Sequence, residues 1–132
     1  MAIKYFKTDD GRVPPHEYLP CAAIQPKWGM ALVLDGESLT IANGAVVPDY
    51  LCMCEYKGTV EAGTVIPVCR VDDDIVYLAE LGVDGSALKV GDSVTIGADG
   101  LTVTATTTGK FKITAIHGTD AGDEVEGRFV NV

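Results

Sequence analysis

The sequence predicts an all-β protein, a small β-barrel or β-sandwich preceded by an extended N-terminal arm. Three observations carry that prediction. No helix-length window sustains the i, i+3, i+4, i+7 apolar spacing of an amphipathic helix. Short runs rich in Val, Ile, Thr and Tyr recur along the chain instead. Gly and Asp clusters separate those runs at turn-like intervals.

Residues 1–20 read as the arm. Ile3, Tyr5 and Phe6 form one short apolar patch, followed by the turn signal Thr8-Asp9-Asp10-Gly11. Pro14-Pro15 forces an extended course, and Tyr18 and Leu19 precede a further proline, Pro20. No hairpin partner is evident, so Ile3, Tyr5, Phe6, Tyr18 and Leu19 are the candidate partner-binding residues of an extended or swapped edge segment. An arm of this kind holds few core contacts, and deleting residues 1–15 is expected to leave thermal stability within a few degrees.

Residues 21–132 read as a single β domain. Met30–Leu34 is an apolar run ended by Asp35-Gly36. Tyr50–Tyr56 is apolar on both of its alternating faces, the mark of a central strand. Strands are expected over Thr64–Val71 and Ile75–Leu81, on either side of Asp72-Asp73-Asp74. Four more follow at Ser93–Ile96, Leu101–Thr106, Lys110–Ile116 and Glu124–Val130. Gly97-Ala98-Asp99-Gly100 and Thr108-Gly109 supply turns, and one helical turn near Ser86–Lys89 is the most helix allowed. A small motif also recurs: Ala62-Gly63-Thr64, Val90-Gly91-Asp92 and Ala121-Gly122-Asp123 each precede a strand. Glycine there takes a left-handed turn, and the Thr or Asp side chain satisfies the turn's backbone.

Composition bounds the function. A chain of 132 residues, 47% of them apolar, is the size of one domain and folds around its own core without staples. Its apolar runs are about five residues long, against about 20 for a membrane-spanning helix. Met1–Asp10 is mixed and charged, unlike a secretory leader. Ten Lys and Arg stand against 19 Asp and Glu, a net charge of −9, with the acidic excess spread over every part of the chain. Displacing counterions from phosphates needs clustered cations. No cluster exists, so no nucleic acid and no membrane is expected as a partner.

The residues that could carry chemistry do not assemble into a motif. Cys52-x-Cys54 has the wrong spacing for a zinc pair, and His16 and His117 are the only histidines. Cys21, Cys52, Cys54 and Cys69 are therefore expected as free thiols, mostly buried, behaving as small apolar residues. Neither histidine is spaced to activate a Ser or Cys nucleophile. Asp72-Asp73-Asp74 lacks the staggered ligands of a calcium loop and reads as a solvated turn. No enzyme activity, metal or cofactor is expected. Trp28, with Pro26 and Gly29, is the one candidate for a sugar-stacking surface, although a lone tryptophan in a small β domain more often plugs a core or interface.

The order of segments carries a resemblance. After the proline-marked arm come Gly29–Leu34, Gly63–Val68, Leu88–Ile96 and Ala121–Val130, a succession of glycine turns and short strands. In this the chain resembles the decoration, or cement, proteins on the heads of tailed bacteriophages, most closely over residues 86–132. The resemblance implies a structural protein that binds the outer surface of a capsid and stabilises it. It also implies the major capsid protein as partner, a homotrimer on the capsid, and a place on the virion exterior after synthesis in the bacterial cytoplasm. The cysteine content departs from what an exterior virion protein usually carries. A carbohydrate- or protein-binding β module of a bacterial surface or virion assembly is the alternative reading.

Overall fold

Along Phe111–Ile116 the side chains of Phe111 and Ile113 are buried while Lys112 and Thr114 face solvent. This period of two sets one face of a strand against a core. The structure, a computed structural model, describes residues 3–130, and among them lie ten strands and no helix. In chain order these are β1 (Ile3–Thr8), β2 (His16–Pro20), β3 (Ala31–Asp35), β4 (Ser38–Ile41), β5 (Tyr50–Cys52), β6 (Val65–Arg70), β7 (Ile75–Glu80), β8 (Ser93–Val94), β9 (Phe111–Ile116) and β10 (Glu124–Phe129). They form two five-stranded sheets, ordered β1-β7-β10-β9-β8 and β2-β6-β5-β3-β4. Every ladder is antiparallel. Neither sheet closes into a barrel, and the arrangement is that of a sandwich.

Alternate residues of the second sheet feed two separate cores. Ala31, Leu51 and Cys69 join the larger cluster, which also holds Ile3, Tyr77, Phe111 and Phe129 from the first sheet. Their neighbours Leu32, Cys52 and Val68 point the other way, into a smaller cluster with Cys21, Leu39 and Ile66. A sheet buried on both faces has no polar side to alternate with, which is why Tyr50–Cys52 is apolar throughout. As expected, β5 is central, between β6 and β3. It is shorter than the run suggests. Beyond Met53 the chain leaves the ladder, and the Tyr56 amide bonds the Pro26 carbonyl at 2.9 Å.

The first twenty residues are the main correction. They are not an arm over their described part, 3–20, but two edge strands. β1 pairs with β7 from Ile3↔Ala79 to Thr8↔Ile75, with a bulge between Tyr5 and Lys7. β2 pairs with β6 from His16↔Cys69 to Pro20↔Val65. The two strands do not form a hairpin with each other because the stiff Pro14-Pro15 segment carries the chain from one sheet to the other. Each finds its partner more than forty residues away, out of reach of local pattern reading. Ion pairs fasten the crossing: Arg12 Nη2 lies 2.7 Å from Asp74, and Arg128 Nη2 lies 2.8 Å from Asp9. The Arg128 guanidinium donates the hydrogen bond that chiefly lowers the Asp9 pKa below the usual carboxylate value.

The recurring glycine motif is a real structural repeat. Gly63, Gly91 and Gly122 have φ of +91°, +100° and +95°. In each copy the amide after the glycine (Thr64, Asp92, Asp123) bonds back to the carbonyl of residue 61, 89 or 120, closing a type II turn. The glycine amide then donates to a neighbouring carbonyl (Cys21, Ile113 or Leu81), whose own amide returns the bond to residue 64, 92 or 123. Asp92 and Asp123 carboxylates accept the first amide of their turns, at 2.9 and 3.0 Å. Thr64 differs: its hydroxyl donates to the Glu61 carbonyl. Three corners with the same backbone bonding thus launch β6, β8 and β10.

Two smaller expectations change. Leu101–Thr106 is no strand; only Val103 bridges, to Leu81 and to Ile96. Backbone bonds still tie the run to residues 95–97, from the Gly97 amide to the Thr102 carbonyl at 2.8 Å and from the Thr104 amide to the Thr95 carbonyl at 3.0 Å, and the Thr95 and Thr104 hydroxyls pair beside them at 2.7 Å. Ser38–Ile41, unmarked by the sequence pattern, pairs with β3 as the far edge of the second sheet.

Candidate interaction surface

The five candidate partner-binding residues separate into two groups. Ile3 is wholly buried in the larger core and presents no surface to a partner. Tyr5 packs against the same core, and Leu19 packs against the smaller one. Phe6 and Tyr18 are exposed, at 48% and 67%. The Lys7 ammonium lies 5.6 Å from the Phe6 ring centroid, a cation–π distance at an exposed site. Tyr18 stands opposite Pro67 on the outer edge of the second sheet, two pairs along from Pro20↔Val65. Val65 is itself 56% exposed, so Tyr18, Pro67 and Val65 make an apolar strip across β2 and β6, and just past β2 the chain meets β4 through the Cys21–Leu39 bridge. Val65 carries no signal of its own in the sequence; it reads as one more inward residue of an apolar strand.

Trp28 sits where two cavities meet. The first, of about 260 Å³, is lined by Ile3, Lys4, Tyr5, Trp28, Leu51 and Met53. Three successive residues of β1 line it, so it runs along that strand's edge. The opposite edge is taken by β7. Lys4, its one charged residue, lies 3.8 Å from Glu124. The second cavity, of about 340 Å³, is lined by Trp28 with Lys27, Glu55, Glu80, Asp99, Leu101 and Thr102. The Trp28 indole Nε1 is buried and has no hydrogen-bond partner among the described residues. Sequence reading singled out Trp28 with Pro26 and Gly29. The structure surrounds it with residues from four distant segments, 3–5, 51–55, 80 and 99–102, whose meeting no local motif marks.

The thiols are free, as expected. Cys21, Cys52 and Cys69 are buried and Cys54 is partly exposed. The Cys52 and Cys54 sulfurs lie 3.6 Å apart. Burial is the main cause that pushes the Cys52 thiol up to about 12 and the Cys69 thiol to about 11. Reactive thiolates require the opposite shift. The folded state therefore holds protons that an unfolded thiol, ordinarily near 9.0, would release. The stabilisation is fully present below pH 9 and is lost as pH rises toward the folded-state values. We expect the melting temperature to fall between pH 9 and 11, with part of that slope removed in Cys52→Ala. A slope equal in both proteins would contradict the assignment. Alkylation of native protein followed by mass spectrometry should find Cys54 modified first.

The remaining chemistry-bearing residues are used locally. Asp72 and Asp74 face Arg12, while the Asp73 carbonyl accepts from Arg128 at 3.0 Å. His117 Nε2 is 2.6 Å from Glu126 at the surface, and His16 is exposed on β2. Among the described residues no group of three or more His, Cys, Asp or Glu side chains is arranged to hold a metal ion. No protein-family model matches the sequence, and a search of curated proteins finds no match.

Proposed function

We propose that this protein is a structural protein that binds the outer surface of a phage capsid and stabilises it, without enzyme activity. Its partner in this reading is the major capsid protein, its working unit a homotrimer, and its place the virion exterior. The observation that carries the reading is the exposed strip of Tyr18, Pro67 and Val65 on the edge strand β2 and its neighbour β6. An edge strand offers unpaired backbone groups, and alternate side chains beside it select the partner. A net charge of −9 favours solubility at high copy number while opposing trimer formation in free solution. Assembly on a shell overcomes that repulsion by presenting several weak sites at high local concentration.

The test is co-sedimentation with undecorated heads of the phage whose genome carries the coding sequence. Saturable binding is expected, weakened at least about tenfold, or about 1.4 kcal/mol, by Tyr18→Glu. Absence of binding to those heads would remove the capsid reading. The alternative, a carbohydrate- or protein-binding module, draws its support from the Trp28 cavities and not from β2.

A further inference from the structure

We propose that the cleft on either side of Trp28 docks an extended segment of another protein, laid along the free edge of β1, with one apolar and one basic side chain as anchors. The inference stands apart from the capsid reading, because it rests on a different face of the molecule.

The edge of β1 supplies the backbone half of the site. Alternate residues of an edge strand direct their N–H and C=O groups away from the sheet, and an added strand pairs with them. The cavity beside Ile3, Lys4 and Tyr5 lies along that edge and is otherwise walled by Leu51, Met53 and Trp28. Its volume of about 260 Å³ exceeds the roughly 150 Å³ that accepts a benzene ring in an apolar protein cavity, so one aromatic or large aliphatic side chain fits. Among the described residues the buried Trp28 Nε1–H has no acceptor, and an incoming main-chain carbonyl would supply one.

Charge fixes the second anchor. On the other side of Trp28, Glu55, Glu80 and Asp99 share the lining with one cation among the described residues, Lys27, leaving the cavity acidic by two. A lysine or arginine following the apolar anchor along the strand meets these carboxylates. The same charge argues against a second copy of this chain as occupant, since each copy carries −9. It argues equally against acidic ligands. A neutral sugar would leave the carboxylates without a cation and the β1 edge unpaired.

A displayed library of random peptides, selected on the full chain, tests this directly. Selected peptides should share a large apolar residue with a Lys or Arg within three positions. Binding of the synthetic peptides should shift the emission of Trp28, the only tryptophan in the protein. Glu55→Lys changes an exposed residue and should weaken binding at least tenfold without altering the melting temperature. Met53→Ala enlarges the apolar cavity and should move selection toward bulkier anchors. No enrichment, enrichment without a basic residue, or equal binding to Glu55→Lys would overturn the proposal. So would peptide binding that appears only after residues 1–2 are removed, because those residues would then be the occupant. A Trp28 response to neutral oligosaccharides and none to peptides, or one that tracks self-association in light scattering, would likewise overturn it.

Discussion

Deletion of residues 1–15 is expected to unfold the isolated protein or lower its melting temperature by well over ten degrees. A dispensable arm would predict almost no change. The structure places Ile3 wholly inside the larger core, and losing a buried side chain of that size costs about 2–5 kcal/mol. The deletion also removes the whole β1 ladder, which strips one partner from β7 and bares the edge beside Ile75, Tyr77 and Ala79. Removal of Arg12 leaves Asp74 without its 2.7 Å partner in the turn that leads into β7. Net stability of a domain is about 5–15 kcal/mol, so the combined loss is comparable with the whole. Circular dichroism melts of the full and shortened chains measure it. A shift of only a few degrees would mean that β1 contributes little to the folded state.

The second large effect concerns the aromatic centre of the same core. The Phe129 ring meets Tyr77 edge-on at 5.3 Å and Phe111 at 5.0 Å between centroids. All three side chains are buried and come from three adjacent strands, β7, β10 and β9. Phe129→Ala removes the middle ring, leaving a cavity whose rigid walls cannot close. The expected cost is about 3–5 kcal/mol, or roughly 10–20 °C in melting temperature for a chain of this length. Phe129→Leu retains most of the volume and should lose less than half of that. Equal losses in the two variants would indicate that edge-on ring contacts, and not volume, set the cost.

These two regions also mark the limit of what could be read from residues alone. Strands with a clear alternation or a two-sided apolar run, such as Tyr50–Cys52 and Phe111–Ile116, announce themselves because their pattern is local. The glycine corners do so as well, since Gly followed by Thr or Asp encodes its own turn. Ile3-Lys4-Tyr5 alternates just as well, but its partner is Ala79-Leu78-Tyr77, and nothing near residue 3 reveals that pairing. The prolines that suggested a free arm are instead the connector between two sheets. Val103 differs in the other direction: its neighbours have strand propensity, but the backbone bonds there are divided between two partners, with bridges from Val103 to Leu81 and to Ile96, and no continuous ladder forms. Of the interaction surface, Tyr18 and Trp28 are conspicuous as exposed-type and lone aromatic residues. Val65, Met53, Glu55 and Asp99 become meaningful only once folding brings them alongside.

The central claim is that the N-terminal residues are built into a two-sheet body. Hydrogen exchange of the native protein, read on peptides covering residues 3–20, tests it most directly. The account predicts slow-exchanging amides within Ile3–Thr8 and His16–Pro20, matching the ladders to β7 and β6 and released only with β7 itself. Exchange at unfolded-chain rates throughout residues 3–20, with β7 and β6 still protected, would contradict it.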